Sequence, residues 1–349
     1  MCMRSKTRPQ GSNVSLVVRH PMVLNGGDVS NEVETFDAFV ARQRSERAAS
    51  RPDGDGTRRT PVLHHLPRLA DRLILGGLRF RGYTSRRLPT SVGMLHALEA
   101  KGGGELPPVL VLHGLSAAGQ YYESVLRRVR PHVSRVIAPD MPGHGYSELP
   151  PSGLNHDTLG IGLREGLDQI LDEPVVVFGN SLGGAAAVRY AVERPERVLG
   201  LFLAAPGGAP MGAEDLVDFV DDFMLSNHGK ALDFVDRLFH RPHPMRHVLA
   251  WGVRQQFGRT GIEDLLRSLS PETLLKPEEL EQLKMPVFVV WGEADRILRP
   301  EHRKFFEDHL PPHAEVHRIE EYGHAPHMSH PDCLTQRLIE FTRAVANQR

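Results

Sequence analysis

The chain has 349 residues, 40% of them apolar, enough for one large domain with a sizeable core or two smaller ones. Net charge is −1 and the pI is about 7.1, so neither nucleic acid nor an anionic membrane is indicated as a partner. No run reaches the roughly 18 apolar residues of a membrane span, and no apolar stretch follows the charged start Met1–Gln10. The two cysteines, Cys2 and Cys333, lie far apart, so no disulfide framework is expected, and a cytoplasmic location fits.

Residues 1–80 read as an N-terminal extension, draped on the core or partly disordered. Asn31–Ala49 places Val33, Phe36 and Val40 on one helical face. The polar stretch 50–59 is a linker by composition. Leu63–Leu78 fits an amphipathic helix, and the arm is a candidate for oligomer contacts or for lying on a membrane surface.

From Gly82 the pattern becomes regular. Arg87–Ala100 predicts two short strands turning at Ser91-Val92-Gly93. Val109–Leu112 predicts a buried strand, Gln120–Val129 a helix, Arg135–Asp140 a strand and Thr158–Leu171 a helix. Asp140 and His144 are read as fixing the turn after that second strand. Val175–Phe178 and Val198–Ala205 are further strands around a small-residue helix that opens at Gly184. Met211–Ser270 has no strand pattern; its apolar residues, including Phe219, Phe223, Phe234 and Trp251, follow helical spacing. The alternation resumes with a strand at Val287–Gly292, a helix at Pro300–His309, a strand at Ala314–Ile319 and a last helix at Cys333–Ala346. Strands alternating with helices predict an α/β chain with a mostly parallel sheet covered on both faces. The expected division is a core of 81–208 and 271–349 with a helical insertion of 209–270.

The chemistry centres on Gly179-Asn180-Ser181-Leu182-Gly183, set between a buried strand and a helix. Glycines flank a serine in this way where the turn is sharp and side chains would collide with backbone. The helix N-terminus beside the hydroxyl favours a developing anion. A serine needs a base, the base a carboxylate, and the attacked carbonyl two N–H donors. Asp295, just past the strand ending in Gly292, is the expected acid, with Glu293 as its rival. His324 follows the next strand and is the expected base, with His327 and His330 as competitors. The N–H groups of Leu182 and Leu115 are the expected oxyanion donors, with Ser116 as the alternative to Leu115.

Together with His113-Gly114, Asp140–Ser147, Trp291-Gly292-Glu293-Ala294-Asp295 and Gly323-His324, this pentapeptide resembles the α/β-hydrolase superfamily, in its cap-bearing branch. The resemblance covers roughly residues 85 to 349. It implies an eight-stranded, mostly parallel sheet with the cap inserted after the sixth strand. A serine at the elbow departs from the dehalogenase and epoxide-hydrolase relatives, which carry aspartate there. Gly179–Gly184 resembles the C–C-bond hydrolases of aromatic degradation, but Ala325 follows His324 where they tend to carry tryptophan.

The expectation is a serine hydrolase acting on a small apolar acyl substrate, with Ser181, Asp295 and His324 as triad. Phe219, Phe223 and Trp251 are expected to face the substrate. No cofactor or metal is expected: Pro242 and Pro244 break the register of His240, His243 and His247, and Gly102-Gly103-Gly104 lacks the following Lys-Ser/Thr of a phosphate loop. The alternatives are a C–C-bond hydrolase of a diketone-type substrate and a hydrolase-fold ligand receptor with little turnover.

Overall fold

A computed structural model of the chain describes residues 66–258 and 260–348. The predicted helix at 31–49, the linker at 50–59 and most of the arm lie outside these residues. Helix α1 (Leu66–Phe80) leads into β1 (Thr84–Thr90) and β2 (Gly93–Lys101), then β3 (Val109–Leu112), α2 (Glu123–Val129), β4 (Arg135–Asp140), α3 (His156–Ile170), β5 (Val175–Ser181), α4 (Leu182–Glu193) and β6 (Val198–Pro206). Helices α5 (Ala213–Asp222), α6 (His228–Leu238), α7 (Arg246–Phe257), α8 (Thr260–Arg267) and α9 (Pro277–Glu281) follow. The chain ends with β7 (Val287–Gly292), α10 (Pro300–His309), β8 (Glu315–Ile319), α11 (Pro326–Ser329) and α12 (Pro331–Asn347).

The eight strands form one sheet in the order β1-β2-β4-β3-β5-β6-β7-β8. β1, β2 and β4 pair antiparallel, and every later neighbour pairs parallel. Helices on both faces explain why β3 is apolar throughout and wholly buried. Along β5, Val175 and Val177 enter one core with Leu163 and Val188, while Val176 and Phe178 enter the other with Leu126 and Leu338. Helices α3 and α4 thus cover one face, and α2 and α12 the other. β3 lies between β4 and β5, so the chain leaves β3 to one side and returns on the other. The carboxyl ends of β3 and β5 therefore border a crevice, the place where open α/β sheets bind ligands.

Helices α3 and α12 begin earlier than their apolar spacing predicts, and their first residues explain why. α3 starts at His156 because Asn155 caps it: its side chain accepts Thr158 N–H while the Thr158 hydroxyl accepts Asn155 N–H. α12 starts with Pro331, a residue suited to a first helical turn. Helices α5 to α9 lie between β6 and β7, and Phe223, Phe234 and Phe257 meet with ring centroids 5.3 to 5.8 Å apart. Of the two cysteines, Cys2 lies outside the described residues. Among the described residues no helix is long and apolar enough to cross a membrane.

Candidate active site

β5 passes into α4 at Ser181, whose φ of 54° and ψ of −120° is a strained backbone for a residue with a side chain. The turn is sharp because other backbone crowds it. A Cβ on Gly179 would fall 2.5 Å from the Gly183 carbonyl oxygen, and one on Gly183 would fall 2.2 Å from that of Leu112. Ser116, Ser181 and Ala205 are the non-glycine residues with positive φ among those described. They lie at the carboxyl ends of β3, β5 and β6, so the strain is gathered around one crevice.

The loop after β3 leans on this elbow: a Cβ on Gly114 would lie 3.5 Å from Ser181 Cβ. His113 is buried and holds the loop with both nitrogens. Its Nδ1–H donates to the Gly114 carbonyl at 2.8 Å, and its Nε2 accepts Met141 N–H at 2.9 Å. Burial pushes the His113 pKa down, which keeps the ring neutral for this pair of bonds. Asp140 fixes the next turn, as predicted, accepting Gly119 N–H at 2.7 Å and Tyr146 N–H at 2.8 Å and meeting His96 Nδ1 at 2.8 Å.

Asp295 stands three residues beyond β7 and His324 five beyond β8. The Nδ1 of His324 meets Oδ2 of Asp295 at 2.9 Å, with side chains only 7% and 1% exposed. The other carboxylate oxygen accepts the N–H groups of Ile297 at 2.9 Å and Leu298 at 3.1 Å. Burial alone would raise the Asp295 pKa, but His324 and these two amides hold it below the usual carboxylate range. An ionised carboxylate on Nδ1 fixes the proton there and leaves Nε2 as the basic nitrogen. Ser181 Oγ itself has no hydrogen-bond partner among the described residues; such contacts often tighten only with substrate bound.

The competing residues are occupied elsewhere. Glu293 is exposed and pairs with Arg303 at 3.6 Å. His327 stacks on Tyr122 at 4.2 Å, and burial, then the nearby His324, lower its pKa to about 3. His330 Nδ1 meets the Ser329 hydroxyl at 2.9 Å. Of the aromatic candidates, Phe219 and Phe223 lie together with centroids 4.7 Å apart. Phe219 is half-buried, and its ring also approaches that of His302 at 5.9 Å. Phe223 is buried inside the helical insertion, and Trp251 is half-buried on a separate helix, α7. Among the described residues no three His, Cys, Asp or Glu side chains converge as metal ligands.

Two residues of the site had no assigned role in the sequence. The Tyr122 hydroxyl accepts Gly114 N–H at 3.2 Å and donates to Asn180 Oδ1 at 2.8 Å. Asn180 Nδ2 donates to the Ala204 carbonyl at 2.8 Å and, more loosely, to that of His324 at 3.4 Å. One amide side chain therefore joins β5, β6, the loop of Gly114 and the loop of His324. The only advance signal was the position of Asn180 beside Ser181.

The profile of the alpha/beta hydrolase family matches residues 109–332. The chain belongs to that family. The matched span takes in the elbow, the helical insertion, Asp295 and His324. Lipase 1 of Psychrobacter immobilis is 26% identical over 276 residues, 73% of this chain and 82% of the relative. A 2-hydroxy-6-oxononadienedioate/2-hydroxy-6-oxononatrienedioate hydrolase of Paraburkholderia phymatum is 27% identical over 250 residues, 67% of this chain and 86% of the relative. The structure of naproxen esterase from Bacillus subtilis superposes with a TM-score of 0.65 at 17% identity, covering 83% of this chain and 99% of that one, and shares the fold. Membership of the alpha/beta hydrolase family thus supports hydrolase chemistry at the level common to these relatives.

Proposed function

We propose that this hydrolase cleaves a carboxylic ester, or a related acyl bond, of a small apolar substrate through an acyl-enzyme. Ser181 Oγ attacks the carbonyl carbon as its proton passes to His324 Nε2. The oxyanion is held by the N–H groups of Leu115 and Leu182; the latter opens α4 and has no acceptor within the helix. The alcohol leaves with the proton from His324. Water, deprotonated by His324, then attacks the acyl-Ser181 ester, and the acid departs with Ser181 regenerated. Asp295 holds the imidazole in orientation throughout. The core comprises 81–208 and 271–349, and 209–270 forms a cap, with Phe219 and Trp251 as its candidate substrate contacts and Phe223 packed behind Phe219. The reading rests above all on the buried Asp295–His324 pair at 2.9 Å, on loops flanking a serine held at positive φ.

A C–C-bond hydrolase is the second reading, supported by the Paraburkholderia phymatum relative. Purified protein assayed on p-nitrophenyl esters from acetate to laurate, with a fluorophosphonate probe beside it, tests both. Ester turnover and labelling, each lost in Ser181→Ala, are expected. A vinylogous diketone acid turned over faster than every ester gives the second reading. No labelling and no turnover of any substrate overturns serine-hydrolase function.

A further inference from the structure

The loops of Asp295 and His324 also terminate a helix of the insertion. The last carbonyls of an α-helix lack intrahelical donors and carry the negative end of the helix dipole. At the end of α6, the Leu238 carbonyl accepts Ala325 N–H at 3.2 Å, directly after His324. The guanidinium of Arg296, directly after Asp295, donates to the Phe239 carbonyl at 3.0 Å and also to that of Asp236. Gly323, directly before His324, passes so near that a Cβ there would lie 2.5 Å from the Leu238 carbonyl oxygen, 2.8 Å from Phe239 Cα and 2.9 Å from His240 N. Gly323 is not among the residues with positive φ, so its need for glycine at this point is one of space. The two loops also bind each other, Ala294 N–H donating to the Tyr322 carbonyl at 3.1 Å.

We propose that the end of α6, residues 236–240, is a positioning element that holds the loops of Asp295 and His324 in register, with Arg296 and Gly323 as its contact points. The inference rests on the roles given above to Asp295 and His324. This end of the insertion is then a fixed strut, and any opening toward substrate takes place in its other helices.

Arg296→Met removes the guanidinium and keeps an unbranched stem, Arg296→Lys keeps one charged donor, and Gly323→Ala inserts a methyl against backbone. Each is assayed as full-length protein on p-nitrophenyl acetate, with active enzyme counted by fluorophosphonate titration. A displacement of the order of 1 Å predicts kcat lower by about 10- to 100-fold in Arg296→Met and Gly323→Ala, with KM changed less than about threefold. The acid limb of kcat/KM should move to lower pH, because a loosened Asp295 stabilises the imidazolium less. Arg296→Lys should recover part of the rate. A lower Tm with wild-type kcat per active site and an unmoved pH profile would overturn the inference. Should Gly323→Ala fail to fold, the two Arg296 variants decide. His324→Ala separates the two levels: if it is inactive while the strut variants are normal, only the strut falls; if it is fully active, the assignment of the base falls as well.

Discussion

Asp295 and His324 meet at 2.9 Å through one carboxylate oxygen, while the other oxygen accepts two backbone N–H groups of its own loop. The carboxylate is thus fixed before it fixes the imidazole. Glu293, two residues earlier, faces solvent and Arg303.

Asp295→Asn keeps the shape but offers Nδ1 an amide that can donate, favouring the wrong tautomer. Turnover should fall by roughly 10²- to 10⁴-fold with little change in folding. Glu293→Gln should stay within about twofold of the parent, since an exposed ion pair contributes about 0–1 kcal/mol. Steady-state rates of both variants on one ester check this, and the reverse ranking would reassign the acid.

Tyr122→Phe removes the hydroxyl that joins Gly114 N–H to Asn180. Each buried polar group left without a partner costs about 1–3 kcal/mol. The denaturation midpoint should therefore drop, and kcat should drop with it, because the loop carrying Leu115 loses its tie to the elbow. Unchanged stability and unchanged kcat would show that the hydroxyl bridge has no role.

What was legible in the sequence follows a rule visible in these residues. β5 is apolar and short, its turn needs two glycines, and Asp295 and His324 each follow a strand, β7 buried and β8 at the sheet edge; all are local patterns. Tyr122 and Asn180 touch across 58 residues, and no spacing rule anticipates that contact. The same holds for Leu238 against Ala325, where a helix end meets a loop from another part of the chain. Helical periodicity also placed Phe219 and Phe223 on one apolar face without showing that one of them is interior.

Two buried histidines should make stability depend on pH. Burial lowers the His302 pKa to about 4 and that of His327 to about 3, from the ordinary 6.5. Between those values and 6.5 the unfolded chain binds protons that the folded protein refuses. Stability is therefore full above pH 6.5 and falls as the pH drops toward 4, by up to about 1.4 kcal/mol per pH unit for each group. Asp295 acts lower down: its pKa is depressed, so its contribution is full above the ordinary carboxylate value and is lost as the pH falls from there to its own, lower pKa. Urea denaturation at pH 7, 6 and 5 measures the slope. His327→Phe, which keeps a ring against Tyr122, should remove about one proton from it; an unaltered slope would place the proton uptake elsewhere.

Phe219 and Phe223 should separate binding from stability. Phe223 is buried against Phe234 and Phe257, so Phe223→Ala opens a cavity in the helical insertion and should cost about 3–5 kcal/mol. Phe219 is only half-buried and borders His302, which lies close enough to Asp295 to feel its charge. If Phe219 faces bound substrate, each methylene of the acyl chain packed there contributes up to about 0.8 kcal/mol, or roughly fourfold in kcat/KM per carbon. The parent should show that rise from acetate upward until the pocket is full. Phe219→Ala should flatten it, with activity on acetate nearly intact and the denaturation midpoint moved far less than in Phe223→Ala. A chain-length profile that survives in Phe219→Ala but collapses in Trp251→Ala would put the acyl chain against α7 instead.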